Sequence, residues 1–415
     1  MPKSILCLRD YSLATFRQDF IAGITVGLVA LPLGMAFAIA SGLSPESGIY
    51  CAIVTGFLIS ALGGSRTQIS GPTGAFVIVI SGIIAQYGIS GLFMCTMMAG
   101  VMLILLGLTG TGSAVRFIPC PVILSFTNGI AILIASTQVS EFLGVTMTGN
   151  VGEFVDRMSA VWRNVDTFSV GSIAVGSGAL TLILVVNRFV RAIPGTIVAL
   201  IAGTFAVWAL DVPIETVGSR FGGVPSGLPT IDIPAFDPAL IPKLISPAVT
   251  VANFVSPMFG GLPATGAIAR TVINIRSGAK TSVAGIVHAL TLLVTLLVGA
   301  PLAGLIPMAV LAAILFIVAW NMGEWHEVPL LLKQSKADVA VWAATLLLTV
   351  FADLTVAVEV GMVMAALLFI RRVSHTTTVS RVTSDYVDAG RVHVLQDKPI
   401  PPNVAIFRVH GPLLF

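Results

Sequence analysis

From Phe20 to Ala40 the chain runs without a single charged residue. That is about the length needed to cross the hydrocarbon core of a bilayer, roughly 20 residues. Comparable apolar runs recur at Gly48–Leu62, Gly91–Leu108, Ile118–Ser136, Phe168–Val186, Pro194–Leu210, Ser282–Val298 and Leu302–Trp320. A tight pair, Val339–Phe351 and Leu354–Ile370, follows with Asp353 between them. In lipid, backbone polar groups must be satisfied within the protein, so only helices and closed barrels span. A membrane barrel would alternate apolar and polar residues in short strands. These runs are long and continuous, so the chain is read as an all-α polytopic membrane protein. The overall balance agrees: 10% of residues are charged, against about 25% in an ordinary soluble protein.

The same composition excludes several functions. A net charge of +3 with no basic cluster gives no footprint for nucleic acid. Cys7, Cys51, Cys95 and Cys120 are scattered, with no metal-binding spacing, and they read as small apolar fillers. No nucleophile, metal or phosphate-loop constellation marks an enzyme, and no cofactor is implied. Asp10, Arg17 and Asp19 interrupt the N-terminus, which does not read as a cleavable signal.

One stretch breaks the apolar regularity. Arg66–Ser81 passes from a short polar piece, Thr67–Ser70, through Gly71-Pro72 into an apolar helical run. Pro72 suits a first helical turn, where its missing N–H costs nothing. Ser70 or Thr73 can cap it. A helix therefore starts here, inside the membrane. Irregular backbone at that depth must be buried in protein or line a cavity. A helix N-terminus carries free N–H groups and partial positive charge, so it favours an anion. A second interrupted stretch, Gly261-Leu262-Pro263-Ala264-Thr265-Gly266-Ala267 leading to Arg270 and Asn274, echoes the first. Paired breaks in the two halves of a transporter point to its substrate site.

Other features have milder readings. Pro32 and Gly34 inside the first span imply a kink, with helix packing as the plain explanation. Asn128 reads as a hydrogen-bond donor or acceptor between helices, and Glu46 as a residue of the first turn of the second span. Asp353 and Glu359 are acids near membrane depth that can serve a proton or an ion pair; a loop between two spans equally accounts for Asp353.

Basic residues set orientation. Arg66, Arg116, and Arg188 with Arg191 follow the second, fourth and sixth spans, whereas the loops at Glu141–Asp166 and Asp211–Pro242 carry acids. The N-terminus is thus expected inside, as are Arg276/Lys280, Lys333/Lys336 and Arg371-Arg372. Three regions result: a cytoplasmic segment 1–19, a transmembrane domain 20–372, and 373–415. In the last, Val392–Leu395 and Val404–Val409 read as strands.

With these residues assembled, the chain resembles the SulP-type, or sulfate permease, family of anion transporters. The resemblance rests on Leu31-Pro32-Leu33-Gly34-Met35-Ala36-Phe37-Ala38, Ser70-Gly71-Pro72-Thr73-Gly74-Ala75 and Gly260-Gly261-Leu262-Pro263-Ala264-Thr265-Gly266 through Thr271, reinforced by Arg276–Thr281. It implies a seven-plus-seven inverted-repeat transporter fold with core and gate domains. It also implies an integral inner-membrane location, a homodimer, and an α/β STAS domain of which 373–415 is the start. The anion would sit between two facing half-helices, near the N–H groups of Thr73, Gly74 and Ala75 and of Ala269, Arg270 and Thr271, with Leu33 and Phe37 lining the site. The chain departs from the family at Leu33 and Ala269, where many relatives have polar residues. A larger departure lies at Leu244–Gly260, which is too short for the family's eighth segment together with the ninth. An internal deletion near Thr250–Val251 is the expectation there.

The implied function is secondary transport of a small inorganic or carboxylate anion (sulfate, bicarbonate or dicarboxylate), with H⁺ or Na⁺ as a possible companion. The alternatives are a non-transporting remnant or membrane scaffold of that family, and a nucleobase transporter of the same fold.

Overall fold

The computed structural model describes residues 3–7, 11–109, 119–146, 154–190, 194–223, 227, 262–263, 265–352, 354–376, 378–382 and 406–410. After a short helix α1 (Lys3–Cys7), α2 (Leu13–Ala40) and α3 (Pro45–Leu62) form the first two spans. Ser12 caps α2 by accepting the Thr15 N–H. The helix therefore begins about two turns before Phe20, where the polar lead-in was expected to end. Asp19 is fully buried within it. Its carboxylate accepts the N–H groups of Lys280 (2.7 Å) and Thr281 (3.1 Å), and the hydroxyls of Thr281 (2.5 Å) and Tyr11 (3.1 Å).

Strand β1 (Ser70–Gly71) then leads into α4 (Gly74–Leu108). Gly88, at φ 68° and ψ −176°, breaks α4 into the two expected spans. Next come α5 (Cys120–Leu143), α6 (Phe154–Arg163), α7 (Val170–Phe189), α8 (Gly195–Ala209) and α9 (Val217–Phe221). The loop at Glu141–Asp166 thus holds a helix that hydropathy did not reveal. α6 is amphipathic and too polar to register as a span, yet it buries Arg157 and Val161.

Strand β2 (Thr265–Gly266) opens the second half, followed by α10 (Ile268–Arg276), α11 (Val283–Ala303), α12 (Met308–Met322), α13 (Val328–Leu331), α14 (Lys336–Phe351) and α15 (Leu354–Thr376). Among the described residues, six helices are long and apolar enough to cross a membrane, and shorter apolar helices accompany them.

The helices pack in two groups. α2 lies against α11 and α3, whereas α5 lies against α12 and α14, with α7 against α8 and α12. Small residues let backbones approach, as is usual where lipid supplies no hydrophobic drive between helices. A Cβ on Gly48 would come within 1.9 Å of the Gly34 carbonyl oxygen, and one on Gly129 within 2.4 Å of Thr349 Cγ2. Gly34 thus lies where α2 is pressed against α3, the packing explanation read for it, and Pro32 is buried within the same helix. Asn128 of α5 donates to the Gly323 carbonyl and accepts from Trp342 Nε1 at 2.9 Å, so it ties three segments together as expected. Glu46 lies in the first turn of α3.

Outside the membrane helices, the N–H groups of Val217 and Gly218 donate to Ile306 and Gly304 (2.9 and 2.7 Å), and that of Met308 to Glu215 (3.0 Å). These bonds pin the Asp211–Arg220 segment to the α11–α12 turn. At the C-terminal side β3 (Thr378–Val382) pairs antiparallel with β4 (Ile406–His410), from Thr378↔His410 to Val382↔Ile406. β4 overlaps the expected second strand. β3 falls where none was read, and Val392–Leu395 lies outside the described residues. So do Asp353, Thr250–Val251 and the whole of Leu244–Gly260.

Candidate functional site

β1 and β2 form an antiparallel pair with Ser70 opposite Gly266 and Gly71 opposite Thr265. Each strand is only two residues long, and each is followed at once by a helix. The pairing therefore sets the N-termini of α4 and α10 beside each other, in the middle of the packed helices. Its backbone groups are not left bare. The Ala267 N–H donates to the Ile69 carbonyl at 2.8 Å, and Ser70 Oγ donates to the Thr265 carbonyl at 2.9 Å. The Ile69 N–H donates to Thr271 Oγ1 at 3.1 Å, and Asn274 Nδ2 to the Thr67 carbonyl at 2.9 Å. Irregular backbone at membrane depth is thus satisfied within the protein, as it must be.

Of the residues expected to hold the anion, those of 73–75 and 269–271 fall at this junction, with distinct surroundings. Thr73 Oγ1 lies 3.2 Å from Thr265 Oγ1, and the two hydroxyls bridge the helix starts. The first helical amides, at Gly74 and Ala75, have no acceptor within their own helix. Gly74 is backed by Phe37, Ile134 and Met322: a Cβ there would lie 3.3 Å from Phe37 Cε1 and 2.9 Å from Ile134 Cδ1. Phe37 and Leu33 are buried in the main hydrophobic cluster. Ala269 is exposed. The Thr271 N–H donates to the Ala267 carbonyl at 2.9 Å, so the free amides of α10 lie before it.

Arg270 is buried at the centre of the junction. One terminal nitrogen donates to the Pro72 carbonyl, and Nη1 has no hydrogen-bond partner. The guanidinium lies under Gly71, where a Cβ would come within 2.4 Å of Nη1. Gly71 is also extended at φ 150°, a conformation that favours glycine. Among the described ion pairs none involves Arg270. A buried cation without a counter-charge is costly. Together with two helix N-termini it makes a strongly anion-favouring place. Asn274, Ser70 and Thr265 belong to the junction too. Sequence reasoning read Ser70 as a possible helix cap and gave Asn274 and Thr265 no separate role, because their contacts come from pairing between distant segments.

A cavity of about 170 Å³ lies away from this junction. It opens between the ends of α2 and α4 on one side and α5, α6 and α12 on the other. Gln138, Glu141 and Arg157 line it. Arg157 Nη1 donates to Ser136 Oγ at 3.2 Å, and burial lowers its pKa from the ordinary guanidinium value. Nearby, Glu141 pairs with Arg220 at 2.7 Å.

Comparison with known proteins bears on this arrangement. The sulfate permease family model matches residues 16–252 and 247–345. A putative sulfate transporter of Bacillus subtilis, YvdB, is 39% identical over 442 residues, covering 98% of this chain and 82% of the relative. The bicarbonate transporter BicA of Picosynechococcus is 30% identical over 447 residues, covering 96% and 79%. Among solved structures, the transmembrane domain of a cyanobacterial bicarbonate transporter BicA superposes with a TM-score of 0.73 at 28% identity, over 86% of this chain and 98% of that one. The anion transporter SLC26A9 has the same fold, with a TM-score of 0.80 at 18% identity over 89% of this chain and 68% of that one. With the family model spanning most of its length and these relatives aligned along nearly all of it, the chain belongs to the sulfate permease family.

Proposed function

We propose that the chain is a secondary transporter of small anions of the sulfate or bicarbonate class, which holds its substrate at the β1–β2 junction. One observation carries this reading: two helix N-termini meet there over a buried guanidinium that has no ion pair among the described residues and one nitrogen without a hydrogen bond. The relatives named above as sulfate and bicarbonate transporters support the substrate class. The amides of Gly74, Ala75 and Ala269 would bind the anion, with Thr73 and Thr271 framing it, Arg270 supplying positive charge, and Phe37 and Leu33 forming an apolar wall. The cleft at Gln138 and Arg157 would serve as an approach between the two helix groups. Movement of one group against the other would expose the site alternately. A homodimer in an inner membrane, with the N-terminus and the β3–β4 side cytoplasmic, fits the charge pattern and the family.

A second reading is a non-transporting form of the family. The family match falls in two pieces that meet at residues 247–252, as a missing stretch at that point would leave it. The decisive measurement is uptake of sulfate, bicarbonate and C4-dicarboxylates by purified protein in liposomes, with and without a pH gradient. Uptake of one of them supports transport. Absence of all uptake, restored by grafting a relative's eighth segment at Thr250–Val251, establishes the second reading.

A further inference from the structure

Next to the β1–β2 junction lies a set of buried polar groups, most of which the anion site does not use. His288 of α11 is fully buried, and among the described residues its ring nitrogens have no hydrogen bond of ordinary geometry, although the Val26 carbonyl faces them. Its ring fills the space left by Gly56 of α3, where a Cβ would lie 3.3 Å from Cδ2 and 3.5 Å from Nε2. The same Gly56 position is 3.7 Å from the carbonyl oxygen of Ser70, the first residue of β1. The imidazole thus stands close to Ser70, whose neighbour Gly71 lies against the Arg270 guanidinium. Ser60 Oγ lies against Gly285, 2.0 Å from where its Cβ would be, one turn before His288. Ser60 Oγ, Ser282 Oγ and Asn274 Oδ1 are buried without partners, as is Arg270 Nη1. Such groups are rarely left unpaired in native proteins, and ordered water is their usual partner. They sit on α3, on α10 and at the start of α11, the helices that also carry Arg270 and His288.

The charged and titratable groups around His288 can be named. α2 contributes Arg17 and Asp19 at its inner end, and Asp19 is already engaged with Thr281, the Lys280 amide and Tyr11. At mid-depth the Val26 carbonyl faces the ring from α2. α3 contributes Glu46 and Tyr50 toward its far end, and Cys51, which interacts with Arg270. α10 contributes Arg270 and Arg276. No other titratable residue lies on α11. The dominant charge near the imidazole is therefore a cation. An anion bound beside Arg270 would offset that charge and favour a proton on the imidazole, so the two ligands would favour each other by reciprocal linkage.

We propose that His288 is the proton-accepting residue linked to anion binding, reached by way of Ser282, Ser60 and Asn274. The proposal rests on the anion reading of the β1–β2 junction and assigns H⁺ as the coupled ion. The test is ¹³C NMR of the full chain in nanodiscs, with ring-labelled histidine. The five histidines are distinguished by loss of one resonance in His288→Gln, or in His288→Asn should the first variant not fold. Sulfate binding is followed separately by calorimetry between pH 5.5 and 8, and bicarbonate binding above pH 7. A His288 resonance that titrates in this range, with a midpoint raised by the anion, is the expected result. So is an anion affinity that strengthens severalfold as pH falls, within the roughly 5- to 150-fold span of coupled sites, and that loses this pH dependence in His288→Gln. A His288 signal that does not titrate overturns the proposal. So does a titration unmoved by an anion that calorimetry shows to bind. If neither anion binds the wild type, the anion reading itself fails and this inference falls with it.

Discussion

Asp19 shows how far a single residue can depart from its sequence context. It lies among polar neighbours at the edge of the first span, yet its carboxylate is fully buried, joins α2 to the start of α11 through two backbone amides and the Thr281 hydroxyl, and also accepts from the Tyr11 hydroxyl. Hydrogen bonds to a charged group contribute about 1.5–3 kcal/mol each. Asp19→Asn should therefore lower stability by about 2–4 kcal/mol, read as a drop in thermal midpoint in detergent. Tyr11, which donates to Asp19, has its pKa raised to about 12 by burial and then by the Asp19 charge. A raised value means that the proton is held more tightly in the folded state. Its stabilisation is complete below the unfolded value of about 10 and fades as pH climbs toward 12. The stability gap between wild type and Tyr11→Phe should accordingly narrow above pH 10. Arg270 poses the opposite problem, a buried charge with no acid paired to it among the described residues. Arg270→Ala should weaken sulfate or bicarbonate binding at least about tenfold. Arg270→Lys should restore only part of it, because an ammonium keeps the charge but not the guanidinium geometry. Unchanged affinity in Arg270→Ala would remove this residue from the site.

Among the elements, helix starts were more legible than strand pairing. Gly71-Pro72 and the Gly/Pro-rich stretch at 260–267 predicted helices beginning just beyond them, and α4 and α10 begin at Gly74 and Ile268. Proline and glycine act locally, so they can be read locally. β1 and β2 are too short to carry a two-residue period, and only their pairing identifies them. α6 was missed for a related reason. Its apolar face covers the ends of α5 and α14 without making a continuous apolar run. The contact of α2 with α3 depends on glycine at Gly34 and Gly48. Gly48→Ala puts a methyl group 1.9 Å from a backbone oxygen. Relief requires the helices to part, at about 1–3 kcal/mol for overpacking of this kind. Gly64→Ala, which meets nothing within 4 Å, is the matched control. Equal melting temperatures for the two variants would count against the close contact.

For the whole molecule, basic residues in alternate loops predicted a single orientation. The outer segments that this pattern groups together are also joined in space: Arg220 pairs with Glu141, and the Glu215 carbonyl accepts the Met308 N–H. The ion pair is partly exposed, so Arg220→Ala should cost less than about 1 kcal/mol. The orientation itself can be measured on a chain lacking its native cysteines. A membrane-impermeant maleimide applied to intact cells should label Asp166→Cys and leave Lys333→Cys unlabelled until the cells are opened. The reverse pattern would invert the molecule. The arrangement of helices into two packed groups was legible only through the family resemblance. No apolar run states which other run it touches.

The sequence alone determined the medium, the class of element and the places where helices break. Those properties follow from local chemistry: apolar length against bilayer thickness, unsatisfied backbone in lipid, and the constraints of proline and glycine. Tertiary structure decided which breaks meet and which polar groups are shut away from solvent. It placed Ser70 opposite Gly266, brought Arg270 beneath Gly71, and buried Asp19 and His288 in seams between helices far apart in the chain. Burial and pairing are properties of what surrounds a residue, and in a membrane bundle those surroundings come from segments that adjacent sequence does not name.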